Sequence, residues 1–135
     1  MKEETLVSVI IPAYNCAGMI SRAIDSALVQ NVPLEIIVID DGSTDDLEQV
    51  MRAYRDNPAL SFIKNEQNLG AAGSRNRGAA LAKGKYVAFL DADDYWEKEK
   101  LQKQLEKMQK TGCVLCCTAR ELMTPEGSLP GVLFR

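Results

Sequence analysis

Short apolar runs rich in β-branched residues recur along the chain and predict buried strands. The first, LVSVIIP, closes on a proline, and the second, EIIVID, ends at a pair of aspartates. Both runs are almost wholly apolar, which is typical of strands covered on two faces. The predicted strands occupy residues 6–12, 35–40, 60–65, 86–90 and 114–119.

Segments with apolar residues at helical spacing separate these runs. In the first, residues 20–28, the apolar side chains share one face. The opposite face holds Ser21, Arg22, Asp25 and Ser26. Asp45 is predicted to cap a second helix, the small residues 70–82 predict a third, and the charged segment 97–110 predicts a fourth.

Strands that alternate with single helices predict an α/β fold. The expected sheet is mostly parallel, with right-handed crossovers and helices on both faces. We expect residues 1–135 to form a single domain. The tail from Thr124 is rich in turn formers and is expected to add no closing element, so the fold is predicted to be truncated at its C-terminus.

Composition and charge narrow the classes of partner. The formal net charge is -3, so no basic face for nucleic acid is expected. The N-terminal sequence MKEETLVSVI carries acids where a secretory signal needs positive charge, and no run approaches the roughly 20 apolar residues of a membrane helix. These features predict a cytoplasmic chain.

The four cysteines are predicted to be reduced thiols that pack as small hydrophobes. They are Cys16, Cys113, Cys116 and Cys117. A zinc site built on Cys113 and Cys116 is the alternative, but it needs two further ligands and the chain has no histidine. The lack of histidine also excludes a histidine-based catalytic triad.

The candidate chemistry follows the ends of the predicted strands. The carboxyl ends of parallel strands meet at one edge of a sheet, where ligands bind beside the point at which strand order reverses. Aspartates gathered there repel one another and favour a bound cation. The residues concerned are Pro12, Tyr14 and Asn15 after the first strand, Asp40 and Asp41 after the second, and Asp91, Asp93 and Asp94 after the fourth.

Two of these groups have specific interpretations. Asp91 and Asp93 form a D-x-D pair that suits Mg²⁺ or Mn²⁺, whereas a helix cap would need only one acid. Asp41 can accept the imide N–H of a nucleobase that lies against Tyr14, or it can simply begin a turn and helix in DDGSTD. Both interpretations of Asp41 stay open at this point.

Two arginines lie in the small-residue segment. Arg75 is expected to face the edge that carries the acids, where it can oppose them or bind a diphosphate. Arg77 is expected to be solvated.

Four motifs, VSVIIPAYN, EIIVIDDGSTD, NLGAAGSRNRG and YVAFLDADD, occur in the order seen in family 2 glycosyltransferases of the GT-A fold. The chain resembles that family over residues 7–94. The resemblance implies an inverting transferase that uses a nucleotide-diphosphate sugar and a divalent metal, Mg²⁺ or Mn²⁺. It further implies that Pro12, Tyr14 and Asp41 surround the nucleobase with Asp40 beside them, that Arg75 lies near the donor phosphates, and that Asp91 and Asp93 meet metal, ribose and diphosphate.

The same resemblance implies transfer to a saccharide or lipid-linked acceptor. UDP is the first expectation for the nucleotide, followed by dTDP, with GDP still open. The acceptor-binding part and the general base are expected beyond residue 135, and any membrane contact is expected through parts outside this chain, at the inner face of the membrane.

Two other functions fit parts of the sequence. A phosphoacceptor receiver domain has similar length and alternation, but its acidic pair follows the first strand and a lysine follows the last. Here the pair follows the second strand, and VLCCTA leads to Arg120. A module that binds a nucleotide or nucleotide sugar without transferring it is the remaining alternative.

Overall fold

The computed structural model describes residues 4–124 and 127–134. The chain divides into two compact units, Met1–Glu99 and Lys100–Arg135. A single donor-binding domain over residues 1–135 stays a prediction. None of the helices in the described ranges is long and apolar enough to cross a membrane.

The first unit alternates strands and helices as the apolar pattern predicts. Its elements are β1 (Val7–Ala13), α1 (Ile20–Leu28), β2 (Leu34–Asp40), α2 (Leu47–Met51) with a following 3₁₀ turn (Arg52–Tyr54), β3 (Leu60–Lys64), α3 (Gly70–Leu81) and β4 (Tyr86–Phe89). The four strands form one parallel sheet in the order β3-β2-β1-β4. The predicted α/β sheet is therefore confirmed in this unit.

The strand order fixes which face each helix covers. The chain moves from β1 through β2 to β3 in one direction and then returns past both strands to β4. Right-handed crossovers therefore place α1 and α2 on one face and α3 on the other. On its face α3 lies so close to the sheet that a Cβ on Gly78 would collide with the side chain of Ile10. The order reverses beside β1, so the loops after β1 and β4 flank a crevice.

The core lies between the sheet and its helices. Ile10, Ile37 and Ile39 form a buried cluster on one face, and Ile63 packs against it. On β4, an edge strand among the described residues, Val87 and Phe89 are exposed. The buried side chains thus concentrate on the two central strands.

The second unit differs from its prediction. It contains α4 (Lys100–Thr111) and an antiparallel pair, β5 (Arg120–Thr124) and β6 (Gly127–Phe134). The strand predicted over residues 114–119 is wrong, and Val114 is 94% exposed there. A short apolar run forms a strand only where another strand can pair with it, and here the pairing joins β5 to β6. The tail from Thr124, expected to be rich in turns, contributes β6, which pairs with β5 in a separate sheet and adds no strand to the parallel sheet of the described residues.

Because the predicted strand is not formed, the burial of the cysteines also differs from the prediction. Cys16 is buried as predicted, but Cys113 and Cys117 are exposed and Cys116 is half-buried. The prediction that all four pack as small hydrophobes is therefore wrong for Cys113 and Cys117. Among the described residues, no cysteine joins a group of three potential metal ligands.

Candidate functional site

A cavity of about 310 Å³ opens at the carboxyl edge of the sheet in the first unit. The loops after β1, β2 and β4 line it together with α3. Of the residues predicted for the site, the structure brings Pro12, Tyr14, Asn15, Asp41, Arg75, Asp91 and Asp93 to this cavity. Asp40 does not line it. The convergence agrees with the rule for parallel sheets, while the role of each residue stays a prediction.

The acids after β4 form a compact cluster. Carboxylate oxygens of Asp91, Asp93 and Asp94 lie within 4.8 Å of one another, and all three side chains are exposed. The Asp94 N–H donates to the Asp91 carbonyl at 3.0 Å, which closes a turn and brings the acids together. The next helix begins only at Lys100, so capping does not explain these acids. Clustered carboxylate oxygens with room for water fit a hard divalent cation such as Mg²⁺ or Mn²⁺.

Arg75 lies on α3 and faces the acidic cluster. Its Nη2 donates to Asp91 Oδ1 at 2.8 Å, and the two side chains are 35% and 49% exposed. An ion pair this exposed contributes little to stability. Since a guanidinium has five N–H donors, Arg75 can hold Asp91 and still bind an oxyanion in the cavity.

Asp41 organises the start of α3. Its carboxylate accepts the Leu69 N–H at 2.7 Å, the Gly70 N–H at 3.0 Å and the Asn65 amide at 2.9 Å. The Leu69 hydrogen bond, aided by those from Asn65 and Gly70, lowers the pKa of Asp41 against the opposing effect of burial. A fixed negative charge at the N-terminus of α3 also complements the helix dipole. Asp41 thereby positions the helix that carries Arg75.

Asp40 is a turn residue in this structure. It is buried, and its Oδ1 accepts the Ser43 N–H at 2.9 Å. Gly42 between them has a φ of 88°, and a Cβ there would lie 2.5 Å from Asn68 Oδ1. The segment DDGSTD therefore needs both the aspartate and the glycine to turn out of β2.

Asn15 joins two loops at the cavity edge. Its Oδ1 accepts the Thr44 N–H at 2.7 Å and the Thr44 hydroxyl at 3.3 Å, while its own N–H donates to Ser43 Oγ at 3.0 Å. Asp45 accepts the Ala17 N–H at 3.0 Å and the Leu47 N–H at 3.2 Å. The N-cap of α2 is Asp46, which makes no side-chain cap hydrogen bond, so the prediction that Asp45 caps this helix is wrong. Asp45 instead closes the turn that precedes the helix.

The hydrogen bonds of Asn15 also affect the position of its neighbour, Tyr14. Tyr14 precedes Asn15, lines the cavity and is 58% exposed. Because Asn15 ties this loop to the loop after β2, the backbone that carries Tyr14 is held beside the cavity.

The contacts of several side chains near the site were not predicted from the sequence. Cys16 lines the cavity, and burial raises the pKa of its thiol to about 11. Ser74 is buried and bonds Asn65 at 3.0 Å. Arg77, expected to be solvated, instead donates to the Lys64 carbonyl and to Asn65 Oδ1, at 2.9 and 2.7 Å. These bonds join α3 to the end of β3, and no spacing in the sequence signals them.

Solved structures share this fold. A structure of Staphylococcus aureus TarS, residues 1–349, in complex with UDP-GlcNAc matches 91% of this chain and 42% of its own, with a TM-score of 0.72 and 28% identity. The mannosyltransferase PcManGT from Pyrobaculum calidifontis, in complex with GDP-Man and Mn²⁺, matches 92% of this chain and 37% of its own, with a TM-score of 0.72 and 26% identity. The expected GT-A fold is thereby confirmed, for part of the domain these transferases contain.

Sequence comparison agrees with the structural matches. The Escherichia coli enzyme WfaP, a UDP-Glc:alpha-D-GlcNAc-diphosphoundecaprenol beta-1,3-glucosyltransferase, is 46% identical over 105 residues, or 77% of this chain and 41% of WfaP. This chain thus spans less than half the length of that relative. The profile of glycosyl transferase family 2 matches residues 8–128. The chain therefore belongs to glycosyl transferase family 2, the family that its four motifs predict.

Proposed function

We propose that this chain is the donor-binding part of an inverting glycosyltransferase that binds a nucleotide-diphosphate sugar with Mg²⁺ or Mn²⁺. The sugar would go to a saccharide or lipid-linked acceptor. The observation that carries the proposal is one shared cavity lined by Tyr14, Arg75 and the Asp91 and Asp93 pair. A ring, a guanidinium and paired carboxylates are suitable partners for a base, a diphosphate and a hard cation.

The relatives support a UDP-sugar as donor. The name of WfaP specifies UDP-Glc, and the TarS structure contains UDP-GlcNAc. PcManGT was solved with GDP-Man and Mn²⁺, which supports the metal and makes GDP the nucleotide to test against UDP. WfaP also acts on a diphosphoundecaprenol-linked sugar, which is the support for a lipid-linked acceptor.

The residues of the cavity divide the work of donor binding. Tyr14 offers an exposed ring to the base, and Arg75 offers N–H donors to the diphosphate. Asp91 and Asp93 would hold the cation, which when bound supplies neutralisation of the charge that develops on the leaving diphosphate. We still expect the general base, which takes the proton of the acceptor hydroxyl, to lie outside this chain. The proposal includes the cytoplasmic location that the sequence predicts.

Calorimetric titration of UDP in the presence of Mn²⁺ tests the donor site. We expect binding that chelation abolishes and that Asp93→Ala weakens at least about tenfold, because the variant removes a carboxylate ligand. Asp56→Ala removes an exposed acid that does not line the cavity and is the matched control.

Two results would contradict the proposal. Equal binding of UDP, GDP and ATP would show that the cavity does not select the base. No UDP binding by the wild-type chain with Mn²⁺ would show that this chain is not a donor site by itself.

A further inference from the structure

A polar stripe on α1 contacts the segment that follows the acidic cluster. The stripe consists of Arg22, Ser26 and Gln30, which lie one helical turn apart on one side of the helix and its C-terminal extension. Its three contacts fall on three consecutive residues of the segment, Tyr95, Trp96 and Glu97.

Each contact is of a different kind. The Arg22 guanidinium carbon lies 4.6 Å from the centroid of the Tyr95 ring. The Trp96 N–H donates to Ser26 Oγ at 3.1 Å, and Gln30 Nε2 donates to the Glu97 carbonyl at 2.8 Å. Two of the three contacts are therefore made to main-chain atoms. These two contacts hold the backbone of the segment directly and do not depend on its side chains.

Two side chains of this stripe are buried, whereas those of an ordinary polar helix face are exposed to solvent. Ser26 is 9% exposed and Gln30 6% exposed, although the spacing places Ser26 on the polar side of the helix. Alanine and leucine would fill such positions without leaving polar atoms to satisfy. Ser26 also donates to the Ala23 carbonyl at 2.7 Å, so its hydroxyl is used both within α1 and in contact with the segment.

The acidic cluster lies between two anchors. At its beginning, the Leu90 N–H donates to the Ile10 carbonyl of β1 at 3.0 Å. At its end, the stripe holds residues 95–97. The residues from Asp91 to Trp96 form no helix or strand, so hydrogen bonds of regular structure do not fix their path.

We infer that Arg22, Ser26 and Gln30 are positioning residues that hold the Asp91 to Asp94 turn in place for a divalent cation. The inference rests on the proposed function, because it concerns the cation of the donor site. Since the carboxylates are exposed and repel one another, a backbone fixed in advance lowers the ordering cost of binding the ion. None of the three residues lines the cavity, so they act through the turn and not on the ligand.

The Mn²⁺ concentration that gives half-maximal UDP binding measures this effect. We expect it to rise about five- to tenfold in Ser26→Ala and in Gln30→Met, since each loses one partly buried hydrogen bond to the segment. UDP affinity at saturating Mn²⁺ should stay within about twofold of the wild type. Ser26→Thr restores the hydroxyl and should recover most of the loss, and Ser21→Ala on the same helix is the matched control.

Hydrogen exchange tests the tether without any ligand. In Ser26→Ala the amides of residues 90–99 should exchange about fivefold faster, while those of β1 keep their protection. Unchanged exchange in Ser26→Ala and Gln30→Met would overturn the inference whatever the nucleotide does. Faster exchange without a change in the Mn²⁺ requirement would overturn it as well, and so would an equal loss of Mn²⁺ and UDP affinity, which indicates general damage.

A failure of the proposed function gives a different result. If the wild-type chain binds no UDP, the donor proposal fails, and the inference is then judged with Mn²⁺ alone. Paramagnetic broadening of the amide signals of residues 91–94 must in that case be weaker in Ser26→Ala than in the wild type. Equal broadening, or none in either protein, would overturn the inference.

Discussion

Asn15 combines a backbone requirement with a side-chain requirement. Its φ of 49° lies in the left-handed region, which glycine and asparagine enter most readily. Its side-chain oxygen accepts two hydrogen bonds from Thr44 in the loop after β2. Substitutions can separate these two properties, because glycine satisfies only the first and alanine satisfies neither.

We expect Asn15→Ala to lower the free energy of unfolding by about 2–3 kcal/mol and Asn15→Gly by about 1 kcal/mol. Both variants lose the bonds to Thr44, but only alanine adds left-handed strain. Urea denaturation measures the difference. Equal losses in the two variants would show that the backbone conformation contributes nothing at this position.

Single residues were predictable where their effect depends on sequence neighbours. Asp91 and Asp93 follow a strand end, so their place at the cavity could be predicted from the sequence. The hydrogen bonds of Asp41 could not, because the Leu69 N–H lies 28 residues further along the chain. Arg77 was wrongly expected in solvent for the same reason, since its partners become neighbours only when α3 packs beside β3.

Among the elements, α3 depends most on small side chains. It contributes Ala71, Ser74 and Arg75 to the cavity, and it packs on the sheet through Gly78. Because Gly78 lies directly over Ile10, the distance between helix and sheet is set by the missing side chain. The small residues that look unfavourable for a helix are therefore a packing requirement.

Gly78→Ala should destabilise the protein by about 1–3 kcal/mol, although alanine is the better helix former by about 1 kcal/mol. The collision with Ile10 outweighs helix propensity. Thermal unfolding by circular dichroism checks this, and Asn76→Ala at an exposed position of α3 is the control, with a change of a few tenths of a kcal/mol in the stabilising direction. A stabilised Gly78→Ala variant would show that the helix can move away from the sheet.

Elements were predictable to the extent that local pattern decides them. The four strands and three helices of the first unit lie within a few residues of their predicted bounds, since burial on both sides of the sheet leaves a clear apolar signal. In the second unit the run at residues 114–119 has the composition of a strand but no pairing. The choice of strand partner is non-local, so composition alone cannot supply it.

At the scale of the whole molecule, Asp41 couples folding to pH. Its pKa in the folded protein is lowered, above all by the Leu69 N–H. The unfolded chain therefore takes up a proton at a higher pH than the folded protein does. The stability that Asp41 contributes is complete above about pH 4 and is lost as the pH falls through the lower folded pKa.

Asp41→Asn should consequently be less stable than the wild type at pH 7, and the two proteins should converge as the pH falls below about 4. Urea midpoints measured from pH 7 to pH 2.5 test this expectation. Asp56→Asn, which changes an exposed acid, should leave the curve unchanged. Parallel curves for Asp41→Asn and the wild type would contradict the role given to this carboxylate.

The contrast between the cysteines has a practical consequence for chemical labelling. At neutral pH the thiol of Cys16 is buried and almost wholly protonated, because its pKa is about 11, whereas Cys113 and Cys117 are open to solvent. Thiol-directed reagents will therefore modify the second unit and spare the wall of the cavity. A fluorophore can therefore be attached to the second unit without modifying Cys16, the cysteine that lines the cavity.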